Sequence, residues 1–409
     1  LHHAEIGNFD PALLLYKFQD GIQESYMSKV AIVRCESYDY KEVLTAVKRG
    51  MDLLGGATKF VNKSEKILLK PNFLAAETPE KCCTTHPAVF KAVGEVFQAA
   101  GADLSYGDSP AFQTPETVAK VSGVGAAAEE LKIPLADFKN GRNVVFEKAL
   151  QNKKLFIANG ALDCDGVISL PKLKTHGFQK MTCCIKNQFG YVPALRKGEF
   201  HVKTPSSVDF AKMLVDLNMF IRPRLYILDG IKAMEGNGPR GGTPKSMNVI
   251  ILSEDPVALD ATVCSMIGLD PALVPTIKIG MEAGLGTCDA SQIEYLGDPL
   301  NSFKDISFVV DRKPLRPFVP GGMANFMKNL LVPRPFINHD KCTKCGTCVR
   351  VCPVSPKAVD WHDGKKDRPP SYKYERCIRC YCCQELCPES AISLKIPLLR
   401  RLIGDFQKA

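Results

Sequence analysis

Two stretches near the C-terminus carry cysteines at a spacing suited to metal chemistry. Cys342, Cys345, Cys348 and Cys352 precede Pro353, and Cys377, Cys380, Cys383 and Cys387 precede Pro388. Each reads C-x2-C-x2-C-x3-C-P. Three close thiolates can wrap a 4Fe–4S cube from one loop, but so short a loop cannot reach the last iron, and with this spacing the fourth cysteine crosses over. The expected sets are Cys342, Cys345, Cys348 and Cys387 on one cluster, with Cys377, Cys380, Cys383 and Cys352 on the other. Zinc is the competing chemistry, since two C-x2-C pairs can hold one ion tetrahedrally. It needs four thiolates per ion, however, and gives no reason for a repeated octad with proline after each. Two [4Fe–4S] clusters, and with them single-electron transfer, are the expectation.

The run is that of bacterial two-cluster ferredoxins, with departures. The residue after Cys380, usually Gly, is Tyr381, and Cys382 adds a ninth sulfur. Spacing makes Cys383 the ligand and Cys382 a packed free thiol. Residues 354–376 read as an enlarged hairpin with His362 as an exposed turn residue.

A second set of chemistry-bearing residues follows short apolar runs: Lys70-Pro71-Asn72, Gly107-Asp108-Ser109, Pro171-Lys172-Leu173-Lys174-Thr175-His176, Lys186-Asn187-Gln188 and Asp229-Gly230. In parallel α/β sheets, ligands bind outside the carboxyl ends of strands, so these loops should converge on one crevice. Lysines gathered there attract an anion. Lys172, Lys174 and His176 are the expected catalytic groups, binding an anionic moiety or donating protons. Lys70, Asn72, Asp108, Lys186, Asn187 and Asp229 are the expected substrate-binding residues. Cys183-Cys184 read as core, and Cys82-Cys83 with His86 as a weak metal alternative. Asp255 before Pro256 reads as a helix N-cap. Gly236-Asn237-Gly238-Pro239-Arg240-Gly241 contains a nominal G-x-G-x-x-G, but a proline interrupts it and a strand follows where a dinucleotide motif must open a helix. Its glycines serve either a close anion or a tight loop.

Positioning these groups requires elements of a particular kind. Apolar runs at 30–33, 66–69, 103–106, 167–170, 225–228 and 248–252 alternate with helical periodicity at 41–54, 88–100, 116–131 and 208–220. That alternation predicts an α/β domain, mainly a parallel sheet with flanking helices, over 27–310, joined to a small C-terminal α+β two-cluster ferredoxin-like domain at 337–396. Residues 136–159 have no clear pattern. A Pro/Gly-rich basic linker with one short helix is expected at 311–336, and an amphipathic tail at 397–409. Residues 1–26 have no basic cluster or cleavage pattern. They read as a leader that is not a signal peptide and is set aside from the fold.

Composition bounds the rest. Over 409 residues, 45% hydrophobic and 24% charged residues fit a globular protein. No apolar run approaches the roughly 18 residues of a membrane span. Seventeen cysteines without an export signal imply reduced thiols and a cytoplasmic location. A net charge of +9 without a concentrated basic stripe argues against nucleic acid, and fits acidic redox partners or an anionic ligand.

Together, Lys70-Pro71-Asn72, Thr85-His86-Pro87, Gly107-Asp108-Ser109, the 170–176 run, Asp229-Gly230 with the 235–239 loop, and Asp255-Pro256-Val257-Ala258-Leu259-Asp260 resemble the DUF362 family. Members similar to this chain are often fused to a C-terminal double 4Fe–4S ferredoxin domain. The resemblance implies an architecture and supplies neither a substrate nor catalytic residues. The leading expectation is an oxidoreductase delivering electrons from the clusters to an anionic substrate or cofactor in the α/β crevice, served by a redox partner protein. The alternatives are a non-catalytic electron carrier or adaptor, and a metal or cofactor maturation factor.

Overall fold

The computed structural model describes residues 27–204, 206–314 and 332–397, apart from the Leu195 side chain. The leader, the short helix expected in the linker and the amphipathic tail beyond Pro397 lie outside these residues.

Strands buried along most of their length build one nine-stranded sheet. Its main path takes β1 (Ser28–Arg34), β2 (Lys66–Pro71), β3 (Asp103–Tyr106), β6 (Gly166–Leu170), β9 (Leu225–Glu235), β10 (Thr243–Ser253) and β11 (Ile293–Gly297) in the spatial order β11-β1-β10-β9-β6-β2-β3. The pairs β1–β11, β2–β3, β2–β6 and β6–β9 are parallel, while β10 runs antiparallel to β1 and β9. Side chains alternate between faces with the two-residue period of a strand. Ala31, Val33, Ile67, Leu69, Ile168, Ile227 and Ile250 go to one core, beneath helices Tyr40–Leu53 and Pro87–Ala99. Val30, Ile32, Leu68, Val167, Tyr226, Leu228 and Ile251 go to the other, beneath Ser207–Ile221 and Pro256–Met266. Helices on both faces of a mostly parallel sheet make this the α/β architecture that the periodicity predicts.

Two features escaped the pattern. Residues 136–159 contain a separate hairpin, β4 (Gly141–Val145) against β5 (Lys154–Ala158). Past Pro171 the chain re-enters the sheet as β7 (Lys172–His176), which pairs with β9 further along that long strand and with β8 (Lys180–Thr182). A register shift between Lys172 and Lys174 breaks the β7–β9 ladder. The site depends on that break.

The C-terminal unit is small. β12 (Arg334–Ile337) pairs with β15 (Ile392–Lys395), and β13 (Val359–Asp360) with β14 (Ser371–Tyr372), around short helices Thr347–Val351 and Cys382–Glu385. The described ends of the linker are packed. Lys180 Nζ donates to Asp311 and to the Lys313 carbonyl, while Tyr381 and Tyr374 donate to the Pro333 and Pro335 carbonyls.

Candidate functional site: an interdomain cavity beside two thiol cradles

The octad loops repeat one backbone design. Lys344 and Gly346 in the first, and Arg379 and Tyr381 in the second, have positive φ, which turns each loop tightly about its thiols. The result is two concavities. One is lined by Cys342, Cys345, Cys348 and Cys387 with Pro388, Ile337 and Ile392, the other by Cys352, Cys377, Cys380 and Cys383 with Pro353, Val359 and Tyr372. Each octad thus lends its last thiol or receives one across the pair. Among the described residues no three His, Cys, Asp or Glu converge closely enough to hold a single metal ion. The thiols stand around a space rather than a point, as a cubic cluster requires and zinc does not.

Tyr381 stands where glycine is usual, at φ 62°. Left-handed backbone is costly for a bulky residue, and the ring explains its presence. Tyr381 packs on Phe178 with ring centroids 6.2 Å apart and joins the core of the larger domain. The glycine-rich loop at 236–242 receives the same module. Gln384 Nε2 donates to Asn237 Oδ1 at 2.9 Å and to the Gly238 carbonyl at 3.0 Å, Asn237 Nδ2 to the Ile392 carbonyl, and Arg240 to the Leu386 carbonyl. This loop is a docking surface for the C-terminal module.

Between the two units lies a cavity of about 470 Å³. The larger domain contributes Asn72, Asp108, Lys174, Thr182, Lys186, Asn187, Lys197 and His201, and the small module Arg350, Cys352, Lys357, Cys382 and Glu385. Five cationic side chains face two carboxylates, so the interior favours an anion. Cys382 lines this cavity and neither cradle.

Most of the charges are held. Lys174 Nζ donates to Asn72 Oδ1 and to the Cys83 carbonyl, both at 2.6 Å, and Asn72 Nδ2 donates to Asn187 Oδ1. Asn187 in turn donates to Ser169. Lys197 donates to the Ser109 carbonyl. Burial pulls both Lys174 and Lys197 down to about 7. Lys186, half-buried and lowered by desolvation against the opposing pull of Glu385, has no hydrogen-bond or ion-pair partner among the described residues.

The expected residues divide. Asn72, Asp108, Lys174, Lys186 and Asn187 line the cavity; Lys70, Lys172, His176 and Asp229 do not. Lys70 is fully buried and pairs with Asp108 at 3.0 Å, fixing the carboxylate that also accepts from the Phe73 and Ser109 amides. Lys172 Nζ donates to Asp229 and to Tyr38 Oη, both at 2.7 Å, while Tyr38 stacks on His86. The broken β7–β9 register sends Lys172 and Lys174 to these separate networks. His176 Nδ1 accepts from the Phe178 and Gln179 amides, so the ring proton sits on Nε2, 3.0 Å from Glu385 of the small module. Burial lowers His176 to about 4 and leaves it neutral, so it braces the interface rather than titrating near neutrality. His86 caps helix Pro87–Ala99 through Nδ1, which removes it from any metal role. Cys183 and Cys184 sit in the core, and Asp255 caps its helix as expected.

Sequence reading missed Lys197 and His201. With Ala194 and Gly198 they occupy one face of helix Ala194–Lys203 at the i, i+3, i+4, i+7 spacing. That face, with its lysine and histidine one turn apart beside two small residues, was the available signal.

Fold and site define an α/β protein carrying a C-terminal iron–sulfur domain of the 4Fe–4S dicluster type. The profile of the 4Fe–4S dicluster domain matches residues 334–388, and that of the domain of unknown function DUF362 matches 67–265. A thylakoid-associated protein of Synechocystis sp. is 36% identical over 274 residues, covering 67% of this chain and 85% of that protein. The chain belongs to the DUF362 family. Among solved structures, the lactate racemase apoprotein of Thermoanaerobacterium thermosaccharolyticum aligns with TM-score 0.36 and 10% identity over 59% of this chain. A Thermotoga maritima protein aligns with TM-score 0.33 and 11% identity over 55% of this chain. The chain spans 57% of the length of each of these two. Among the described residues no helix is long and apolar enough to cross a membrane.

Proposed function

We propose that the protein is a ferredoxin-coupled oxidoreductase in which electrons from two [4Fe–4S] clusters reach an anionic ligand held in the interdomain cavity. The observation that carries this reading is that Cys352 lines both the second thiol cradle and the cavity. Cys342, Cys345, Cys348 and Cys387 would hold one cluster, and Cys352, Cys377, Cys380 and Cys383 the other. When bound, the clusters supply one-electron transfer. The chain does the rest. Lys174 and Lys197, anchored by Asn72 and the Ser109 carbonyl, give a wall that is positive below about pH 7, and Phe73, Phe189 and Leu386 line the cavity beside it. The size lies in the range of small-molecule sites. Reduced thiols and the lack of a spanning helix among the described residues suit a cytoplasmic enzyme, and the relative's thylakoid association suits a peripheral one.

Gly198 provides the test. It lines the cavity, and a Cβ there meets nothing closer than Pro353 at 3.9 Å. Gly198→Phe should therefore fill the cavity without removing a charge. Small molecules released from anaerobically purified protein would be identified by mass spectrometry, then returned to dithionite-reduced protein while iron–sulfur absorbance is followed. Wild type should reoxidise and Gly198→Phe should not. Equal reoxidation by both would refute the reading.

A further inference from the structure

Three polar groups on the larger domain's side of the cavity are left without partners. Lys186, half-buried, has neither a hydrogen bond nor an ion pair among the described residues. Thr182 is 3% exposed and His201 6%, and both Thr182 Oγ1 and His201 Nδ1 lack any hydrogen-bond partner. Leaving a buried hydroxyl or imidazole nitrogen unpaired forfeits its hydration with nothing in return, and native interiors leave few such atoms. Two such atoms beside a half-buried lysine that has no hydrogen-bond partner among the described residues, in one cavity wall, point to a ligand that completes them.

Their placement is fixed from outside the cavity. Thr182 lies opposite Lys174 in the β7–β8 pair. His201 is held by stacking on Phe210, ring centroids 4.7 Å apart, and by the edge of Phe189. Lys186 follows from the short helix Cys184–Asn187, whose start is pinned where Asp260 accepts from the Cys184 and Ile185 amides. The small module contributes none of the three. It supplies the opposite wall, with Cys352, Cys382, Leu386 and Glu385, whose carboxylate acts on both Lys186 and His201 and is the negative charge an incoming anion must outcompete.

We propose that Lys186, Thr182 and His201 form an oxyanion subsite that takes a carboxylate or phosphate group of the ligand, leaving its reducible part against the Cys352 and Cys382 wall. This rests on the cavity being the ligand site. An ammonium, a hydroxyl and an imidazole N–H are donors to the separate oxygens of one anionic group, and the neighbouring Lys174 and Lys197 add charge without giving up their own partners. The substrate class is a small organic acid or organic phosphate, bound acid end first.

The experiment uses the anaerobically purified full chain with its clusters, in buffer of low ionic strength. Binding of inorganic phosphate and, separately, malonate is measured by calorimetry. At least one should bind at a single site, and the one that does identifies the acid group. Lys186→Met should weaken it roughly ten- to a hundredfold, the loss expected for one charge-assisted bond. Thr182→Val, which keeps shape and charge, should weaken it severalfold with cluster absorbance unchanged. No binding of either anion to wild type, or equal binding by wild type and Lys186→Met, overturns the subsite. If that happens while Gly198→Phe still blocks reoxidation, the subsite fails and the cavity reading stands. If Gly198→Phe has no effect while anion binding follows Lys186 and Thr182, the subsite stands and the electron-delivery reading fails.

Discussion

Replacing Gly190 with Ala should be among the most damaging single-methyl changes in the protein. A Cβ at this position falls 1.5 Å from Asp108 Oδ1 and 2.7 Å from Lys70 Nζ. To restore ordinary contact the carboxylate must retreat by roughly 2 Å, in a place where Lys70 is 0% and Asp108 4% exposed. The retreat breaks the 3.0 Å ion pair and strips Asp108 of the amides of Phe73 and Ser109. Uncoupling one partner of a buried pair costs about 3–5 kcal/mol, and the amide bonds belong to the same event rather than adding in full. The assay is anaerobic denaturant unfolding followed by circular dichroism. It compares Gly190→Ala in wild type and in an Asp108→Ala background, where the obstructing carboxylate is absent. The expected loss is about 3–5 kcal/mol in the first and under about 1 kcal/mol in the second. A near-neutral Gly190→Ala, or the same loss in both backgrounds, would refute the argument that this glycine exists to admit the ion pair.

Two further outcomes test the thiols and the charges. Cys382→Ala should keep the full complement of about eight irons and eight sulfides, whereas Cys383→Ala should lose about half; the reverse result by iron and sulfide analysis would exchange their roles. Lys174 and Lys197 are each drawn to about 7, mainly by burial. For Lys174, Cys83 and Asp108 oppose the shift while Lys186 and Lys172 reinforce it; for Lys197, Asp108 opposes while Lys70 and Lys186 reinforce. Both are charged below that pH and neutral above it. The affinity for sulfate, whose own charge is constant there, should therefore fall as pH rises through about 7, and a flat titration would remove these lysines from anion binding.

How much of this was legible depends on how local each cause is. The thiol spacing is a local property, and it was enough to pair the cysteines as the two cradles pair them, including the crossed Cys352 and Cys387. Short continuous apolar runs were enough to place the strands of the sheet, because a strand covered by helices on both faces is buried along its length. The lysines were harder. Lys172 and Lys174 have equal claims in the sequence, and only the register shift against β9 separates them. The 236–242 loop looked like a failed nucleotide motif because its partners, Gln384 and Leu386, lie about 150 residues away. Tyr381 looked like an anomaly for the same reason, since its position is explained by Phe178 in the other unit. Where the spacing within one helix would have sufficed, at Lys197 and His201, the signal was present and unread.

The crossing of thiols between octads has a consequence for how the molecule is made. The second cradle lacks a member until Cys383 is synthesised, and the first until Cys387. By then the sheet and the lysine-bearing wall have already left the ribosome, together with the docking loop that waits for Gln384. Iron must therefore be inserted at the very end of translation or afterwards, onto a chain whose larger part is already folded. A nonsense mutation between residues 342 and 387 would leave every strand of the large sheet in the product but an incomplete set of thiols.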